Sequence, residues 1–428
     1  MDSIRSSLTI KLSKIFSRLK SSALFRDSFW AIFGNVIGKG LSLIAGVFVA
    51  RFLGSDLYGE YGIVKDTMVM IAIFSSFGLG YTATKFIAED PKKSQMVHRV
   101  CMYITFVFSA FIAILLFILS DYVAMWIEAV HLNKILRWSS IAIIFNAINT
   151  TQIGELAGFK LYKAIALNST IVGAITFIIT IPLSYFFHLE GAVISLIISY
   201  ACNCVLNYVV LRKQLAMYSS EKSSAGASVK KILGFSLPVA MQESLFSITS
   251  WCGTWLLIKY AGYDQLGIYS VAAQWGSVVL YIPGTLRNVA LSHLSTTNND
   301  MQANNKVLRL LLKVNFVSTF LPFLAVAVLS NWICSWYGDT YVGLQLILIV
   351  VTFSSIISSL ANVLTQELMA LNKNWFLFGS RFIRDLSSLF MAFGLISIFQ
   401  HGALSFAIAM LMSQIIYFVL LSIISNKE

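Results

Sequence analysis

Charge is what this sequence has least of. Of its 428 residues only 12% are Asp, Glu, Lys or Arg, while 57% are hydrophobic; a soluble domain carries roughly 25% charged residues. Such a chain reads as a polytopic membrane protein. Cysteine is also sparse. The five present, Cys101, Cys202, Cys204, Cys252 and Cys334, all fall in apolar runs. Their number is odd and no C-x-x-C pair occurs, which argues against a disulfide framework and against zinc; they are expected to be small buried hydrophobes. The five histidines (His98, His131, His188, His293 and His401) are scattered at no metal-ligand spacing, so no metal is expected. There is no G-x-S-x-G elbow and no H-E-x-x-H. Gly34 to Gly40 has a superficial likeness to a phosphate-binding loop. It is one residue short between its glycines, lacks Ser or Thr after Lys39, and lies in an apolar run rather than after a strand. No cofactor and no enzyme activity are expected. The net charge of +12 does not imply nucleic acid, because a chain this apolar keeps its basic residues where topology demands them.

What is present is a repeat. Residues 29–89 form an apolar run holding Lys39, a corner from Arg51 to Tyr61, and a second apolar run holding Lys65 and Asp66. The corner returns as Lys259 to Tyr269. The two share a basic residue, an aromatic, then G-x-D-x-x-G-x-Y, which points to a duplicated unit. A second echo joins Glu155-Leu156-Ala157-Gly158-Phe159 to Glu367-Leu368-Met369-Ala370-Leu371.

Twelve helical spans are expected, at about 29–51, 58–84, 99–120, 135–159, 163–187, 190–211, 232–259, 266–291, 307–331, 342–371, 375–399 and 402–425. Lys and Arg concentrate in the N-terminal tail and in the loops after spans two, four and six. The opposite loops hold Asp56, Asp121, Glu128, Asp264 and Asp339, with Trp126, Trp332, Trp336 and Tyr337 as interface anchors. Both termini are therefore expected to be cytoplasmic. Ile4, Leu8, Leu12, Ile15, Phe16 and Leu19 recur at helical spacing among basic residues. They read either as an amphipathic helix on the anionic leaflet or as a basic tail that sets topology. The organisation expected is a cytoplasmic N-terminus (1–28), a six-helix bundle (29–211), a cytoplasmic linker (212–231, Ser-rich over 219–228) and a second six-helix bundle (232–428). Six spans per half make the repeats parallel, around a central cavity.

Charge at membrane depth marks the candidate site, since each such residue costs perhaps 2.5–3.5 kcal/mol at a helix centre on insertion scales. Lys39, Lys65, Asp66, Glu243, Arg287, Arg381, Arg384 and Asp385 fall in expected spans. Lys65 and Asp66 either face a cavity or snorkel near the outer interface. Arg381, Arg384 and Asp385 either line the cavity or form a local pair. Lys39 lies close to mid-span beside Gly34, Gly38 and Gly40, which leave the helix surface open. Arg287 follows Pro283 and Gly284, which disrupt span eight; Lys39 and Arg287 either face the cavity or form an intramembrane pair with Glu243 or Asp66. Glu243 is either a protonatable group or the counter-ion of Arg287. The basic surplus suits an anionic substrate, with arginine matching phosphate as a fork and lysine as a point charge. Tyr58, Tyr61, Tyr81 and Tyr269 are candidate sugar contacts or interface anchors.

The corner R-x-L-G-x-x-x-Y-G-x-Y, the following Gly78-Leu79-Gly80 and then Lys85-Phe86-Ile87-Ala88-Glu89 resemble O-antigen and polysaccharide flippases (Wzx type) of the multidrug/oligosaccharidyl-lipid/polysaccharide (MOP) exporter superfamily. The resemblance implies an all-α MATE-like fold in a bacterial inner membrane. It also implies flipping of undecaprenyl-diphosphate-linked oligosaccharide to the periplasmic leaflet by alternating access. Membrane lipids, a polysaccharide polymerase and a chain-length regulator are the further partners it implies. On that reading Lys39, Lys65, Arg287, Arg381 and Arg384 are candidates for holding the diphosphate and sugar. Asp66 and Glu243 are candidates for coupling to H+ or Na+. A cation-coupled multidrug exporter of the same architecture is the alternative.

Overall fold

The computed structural model describes residues 23–218, 225–284, 301–371, 373–399 and 402–425. In chain order its helices are α1 (Ala23–Ser76), α2 (Leu79–Glu89), α3 (Ser94–Trp126), α4 (Asn133–Gly158), α5 (Tyr162–Leu215), α6 (Ala225–Ala261), α7 (Tyr263–Val279), α8 (Met301–Val328), α9 (Ser330–Ser335), α10 (Leu344–Ala370), α11 (Asn374–Phe399) and α12 (Gly402–Ser425). No strand occurs among the described residues. Seven helical stretches among them are long and apolar enough to cross a membrane: Ile37–Ser76, Pro91–Trp126, Tyr162–Leu215, Asn304–Val328, Leu344–Ala370, Trp375–Phe399 and Gly402–Ser425. The protein is an all-α polytopic membrane protein.

The corners are sharper than the sequence suggests. Helix α1 contains the first expected span and most of the second, and turns at one residue, Gly54, with φ 73° and ψ 175°. Residues 55–61, expected to be part of the corner, already belong to the second limb. The second corner turns the same way at Gly262, φ 94° and ψ 171°. Only glycine adopts this region freely, so the shared glycine fixes the shared bend. The expected second span, 58–84, is broken at Phe77 and Gly78, which both have positive φ, and α2 is a separate helix. Spans five and six lie in one helix, α5, bent at His188 (φ 46°, ψ −124°). Helix α7 ends at Val279, four residues ahead of Pro283, whose nitrogen has no hydrogen for the Val279 carbonyl.

Within the expected linker, 212–231, α5 runs on to Leu215 and α6 starts at Ala225. Of its Ser-rich part, 219–224 lie outside the described residues. So do residues 1–22, which carry the expected amphipathic segment.

The corners pack against one another. A Cβ on Gly59 would strike the Tyr263 carbonyl and approach the Gly267 nitrogen; one on Gly267 would strike the Ser55 carbonyl and approach the Gly59 nitrogen. Exchanging the halves reproduces the contact, as a two-fold relation requires. Farther along, Thr254 Oγ1 of α6 donates to Asp66 Oδ2 at 3.0 Å. In the mirrored place, Gln274 of α7 packs on Gly46 and donates to the Leu43 carbonyl at 3.4 Å. Around this junction the main apolar core gathers Tyr58, Ile63, Met68, Leu132, Leu257, Val271, Trp275 and Tyr337. Tyr337, expected as an interface anchor, is 1% exposed and accepts from Trp275 Nε1 at 2.8 Å. It is a core residue because its hydroxyl has a partner inside. Trp126 and Trp332 are exposed. Cys101 and Cys204 are buried, the other three cysteines are half-buried, and all five are free.

Candidate functional site

Lys39 lies on the first limb of α1. Gly38 beside it is filled: a Cβ there would strike the Ser169 carbonyl of α5, and Gly173 faces it in the same way. This glycine is therefore a helix-packing contact rather than an opening. Gly40 has nothing within 4 Å of an added Cβ, so the open face lies on that side. Lys39 is exposed as a residue, and its ammonium stands 4.9 Å from the centre of the Tyr281 ring, a cation–π distance. It makes no ion pair among the described residues. The Tyr281 hydroxyl is buried and lacks a hydrogen-bond partner there. A free ammonium and an unpartnered phenol thus share one spot, where an anionic group with oxygen acceptors would satisfy both.

The other candidates are held differently. Lys65 is exposed, whereas its neighbour Asp66 is half-buried against α6, with Trp251 Nε1 donating to Thr67 at 2.9 Å just beyond. The two adjacent residues therefore face different surroundings. Arg384 is neutralised locally: its Nη2 lies 2.6 Å and its Nε 2.7 Å from Asp385 Oδ1. Its guanidinium stands over the rings of Tyr417 (5.0 Å) and Phe246 (5.7 Å), inside the second half. Arg381 is half-buried and acts on the same carboxylate. The local pair left open by the sequence is what the structure contains. Glu243 lies on α6 with a side chain outside the description, and Arg287 lies outside the described residues altogether. No hydrogen bond or ion pair joins Lys39, Asp66 and Arg384 to one another among the described residues. Tyr58 is buried in the junction, where its hydroxyl donates to Gln274 Oε1 at 3.3 Å. Tyr269 packs edge-on against Phe406, and Tyr81 is exposed.

Two ionisable residues of the interior were missed by the sequence reading. Glu155, fully buried, has Oε2 2.8 Å from His98 Nδ1, and Glu367, 4% exposed, accepts from Ser425 Oγ at 2.7 Å. A glutamate closing an apolar run, twice at equivalent places, was the available signal.

Residues 24–286, more than half of the chain, match the polysaccharide biosynthesis protein family. The chain belongs to this family. As a polysaccharide biosynthesis protein it has relatives that match it in part. One is the EPS I polysaccharide export inner membrane protein EpsE of Ralstonia nicotianae, 22% identical over 63% of this chain and 62% of the relative. Another is an uncharacterized membrane protein of Methanocaldococcus jannaschii, 20% identical over 59% of this chain and 63% of the relative. The chain thus spans less than two thirds of the length of each. Among solved structures, it is similar to a multidrug resistance MATE family transporter of the MOP superfamily in an inward-facing conformation (TM-score 0.76, 12% identity, 92% of this chain and 94% of the other). It is also similar to the lipid II flippase MurJ in an inward closed conformation (TM-score 0.69, 16% identity, 94% and 88%). The likeness is one of fold, and it establishes the MATE-like architecture expected from the family resemblance.

Proposed function

We propose that this polysaccharide biosynthesis protein is a flippase. It moves undecaprenyl-diphosphate-linked O-antigen or related polysaccharide units from the cytoplasmic to the periplasmic leaflet. Residues 29–211 rock against 232–428, both termini are cytoplasmic, and the membrane is the bacterial inner membrane. The diphosphate and sugar occupy the cavity while the lipid tail stays in the bilayer. A proton or sodium gradient drives the cycle, and the polymerase and chain-length regulator act on the product.

The observation that carries this reading is Lys39, a cation partway along an apolar helix with an aromatic ring and an unpartnered phenol for company. A cation left unpaired among the described groups at such depth is costly unless it faces water or an anionic ligand. Lys65 and Arg381 stand as further contacts, together with Arg287, and Arg384 serves by holding Asp385. Asp66, which meets the second half at Thr254, and Glu243 are the candidates for ion coupling. The junction of the two corners supports an inward-open state, because the halves meet backbone to backbone at that end.

The test is a clean deletion of the gene, with surface polysaccharide run on gels and undecaprenyl-linked intermediates extracted. Loss of surface polymer with single lipid-linked units building up inside is the expected result. The MATE-like fold favours one second reading, a cation-coupled multidrug exporter. Unchanged polysaccharide with raised sensitivity to cationic drugs would replace the flippase with it.

A further inference from the structure

The buried carboxylates Glu155 and Glu367 occupy equivalent places. Each is followed by leucine, and each lends its backbone carbonyl to the amide four residues on, Phe159 and Leu371, at 3.0 Å. Their side chains are treated differently. Glu367 meets the hydroxyl of Ser425, a partner that never carries charge. Glu155 meets His98 of α3, whose side chain is 22% exposed. The other oxygen, Glu155 Oε1, is buried with no donor. One turn earlier on the same helix, Gln152 Oε1 is also buried with no donor. A permanently ionised carboxylate in such a place calls for a fixed cation or a full set of donors. This one has neither among the described residues, only a ring that is charged when protonated.

We propose that His98 and Glu155 form a one-proton binding site in the first half of the chain. With the imidazole neutral and the carboxylate ionised, the pair carries one negative charge. A single proton from water brings it to zero, and no bond other than the one to that proton forms or breaks. Resting on the ring, the proton makes an ion pair with Glu155. Resting on Oε1, it turns that orphan acceptor into a donor for the Gln152 side of the helix, while the ring keeps its Nδ1–H on Oε2.

Among the described residues, His98 is the one charged group that acts on Glu155. From α3, His98 and the Cys101 thiol face the carboxylate. Helix α2 packs on α4 through Gly80, Thr84 and Ile87, and its charges, Lys85 and Glu89, pair with each other at 3.9 Å. No charged group of α1 or α5 acts on Glu155 among the described residues. The site also sits at a joint. Thr84 Oγ1 donates to the carbonyl of Gly154, next to Glu155, at 2.8 Å. Helix α2 is the segment set off from α1 by the break at Phe77 and Gly78. Charging or neutralising the pair therefore acts where α2, α3 and α4 meet. A part in driving transport rests on the flippase reading; proton binding itself does not.

Proton uptake by the purified full-length chain is counted with an indicator dye between about pH 8 and pH 5, the window in which histidine titrates. The comparison is with the double variant His98→Gln/Glu155→Gln. The expected result is about one proton fewer per chain in the double variant. Glu155→Gln alone, which leaves the ring without its carboxylate, should move the midpoint down. Equal uptake by wild type and double variant overturns the proposal, and so does an unchanged midpoint in Glu155→Gln. If the double variant is not monodisperse, the single variant decides on its midpoint. No substrate is present, so failure here leaves the flippase reading untouched, and failure of the deletion test leaves this site standing.

Discussion

At Gly59 and Gly267 the two halves of the chain make the same contact twice, whereas at Glu155 and Glu367 equivalent carboxylates find a histidine in one half and a serine in the other. The first contact is made by backbone, and backbone leaves little to vary: bend, approach and glycine all recur. The second is made by side chains, which diverge as soon as the halves take on different work. Counting on from the paired glycines sharpens the contrast. Asp66 stands where the second half has Gln274, and Lys39 stands where it has Ser247, a buried residue. At these two positions the scaffold is duplicated while the charge is not.

The symmetric contact is the place to break this comparison hardest. Gly59→Val and Gly267→Val each push a side chain into a backbone carbonyl that cannot turn away. Each should cost at least the ~1–3 kcal/mol of ordinary overpacking, and the two should cost alike. Thermal unfolding and the monodisperse fraction of purified protein measure this, and a large difference between them would dissolve the two-fold relation. Lys39→Ala tests the asymmetric side. Surface polysaccharide should be lost with membrane levels near wild type, and Lys39→Arg should keep part of the activity because it keeps the charge. Parallel loss of protein and polysaccharide would make Lys39 structural. A smaller effect is expected at the tryptophans that flank the junction. Trp251→Phe strips Thr67 of a donor and Trp275→Phe does the same to Tyr337, each lowering stability by about 1 kcal/mol. Smallest of all is Gly40→Ala, which enters open space and should raise helix stability by roughly 0.5–1 kcal/mol. Gly38→Ala next door meets the Ser169 backbone and should lower it.

Much of the fold could be read from the sequence because its determinants are local. Long apolar runs announced the helices, and G-x-D-x-x-G-x-Y announced the two corners, since Gly54 and Gly262 sit in a backbone region closed to other residues. The same pattern did not say that Gly59 and Gly267 would touch, because a close approach has no signature beyond glycine itself. The break at Phe77 was hidden, as phenylalanine gives no hint of a positive φ. Tyr337 was misread because an aromatic at a span end looks identical whether its hydroxyl meets water or an indole. The site was legible as a set of charges and not as an arrangement. Arg384 and Asp385 are neighbours in the chain and pair as neighbours. His98 and Glu155 lie on different helices, so only folding brings them together. Lys39 was legible by depth alone; its phenol partner, Tyr281, was not.

The glycine-to-glycine junction also says something about ancestry and assembly. A surface that maps onto itself when its two bearers are exchanged is the kind that closes a C2 homodimer. Two separate chains, each carrying one such corner, would meet through this same patch with no new chemistry. The tether between the halves then supplies local concentration rather than shape. Cutting it within 219–224 should leave two fragments that still find each other when produced together.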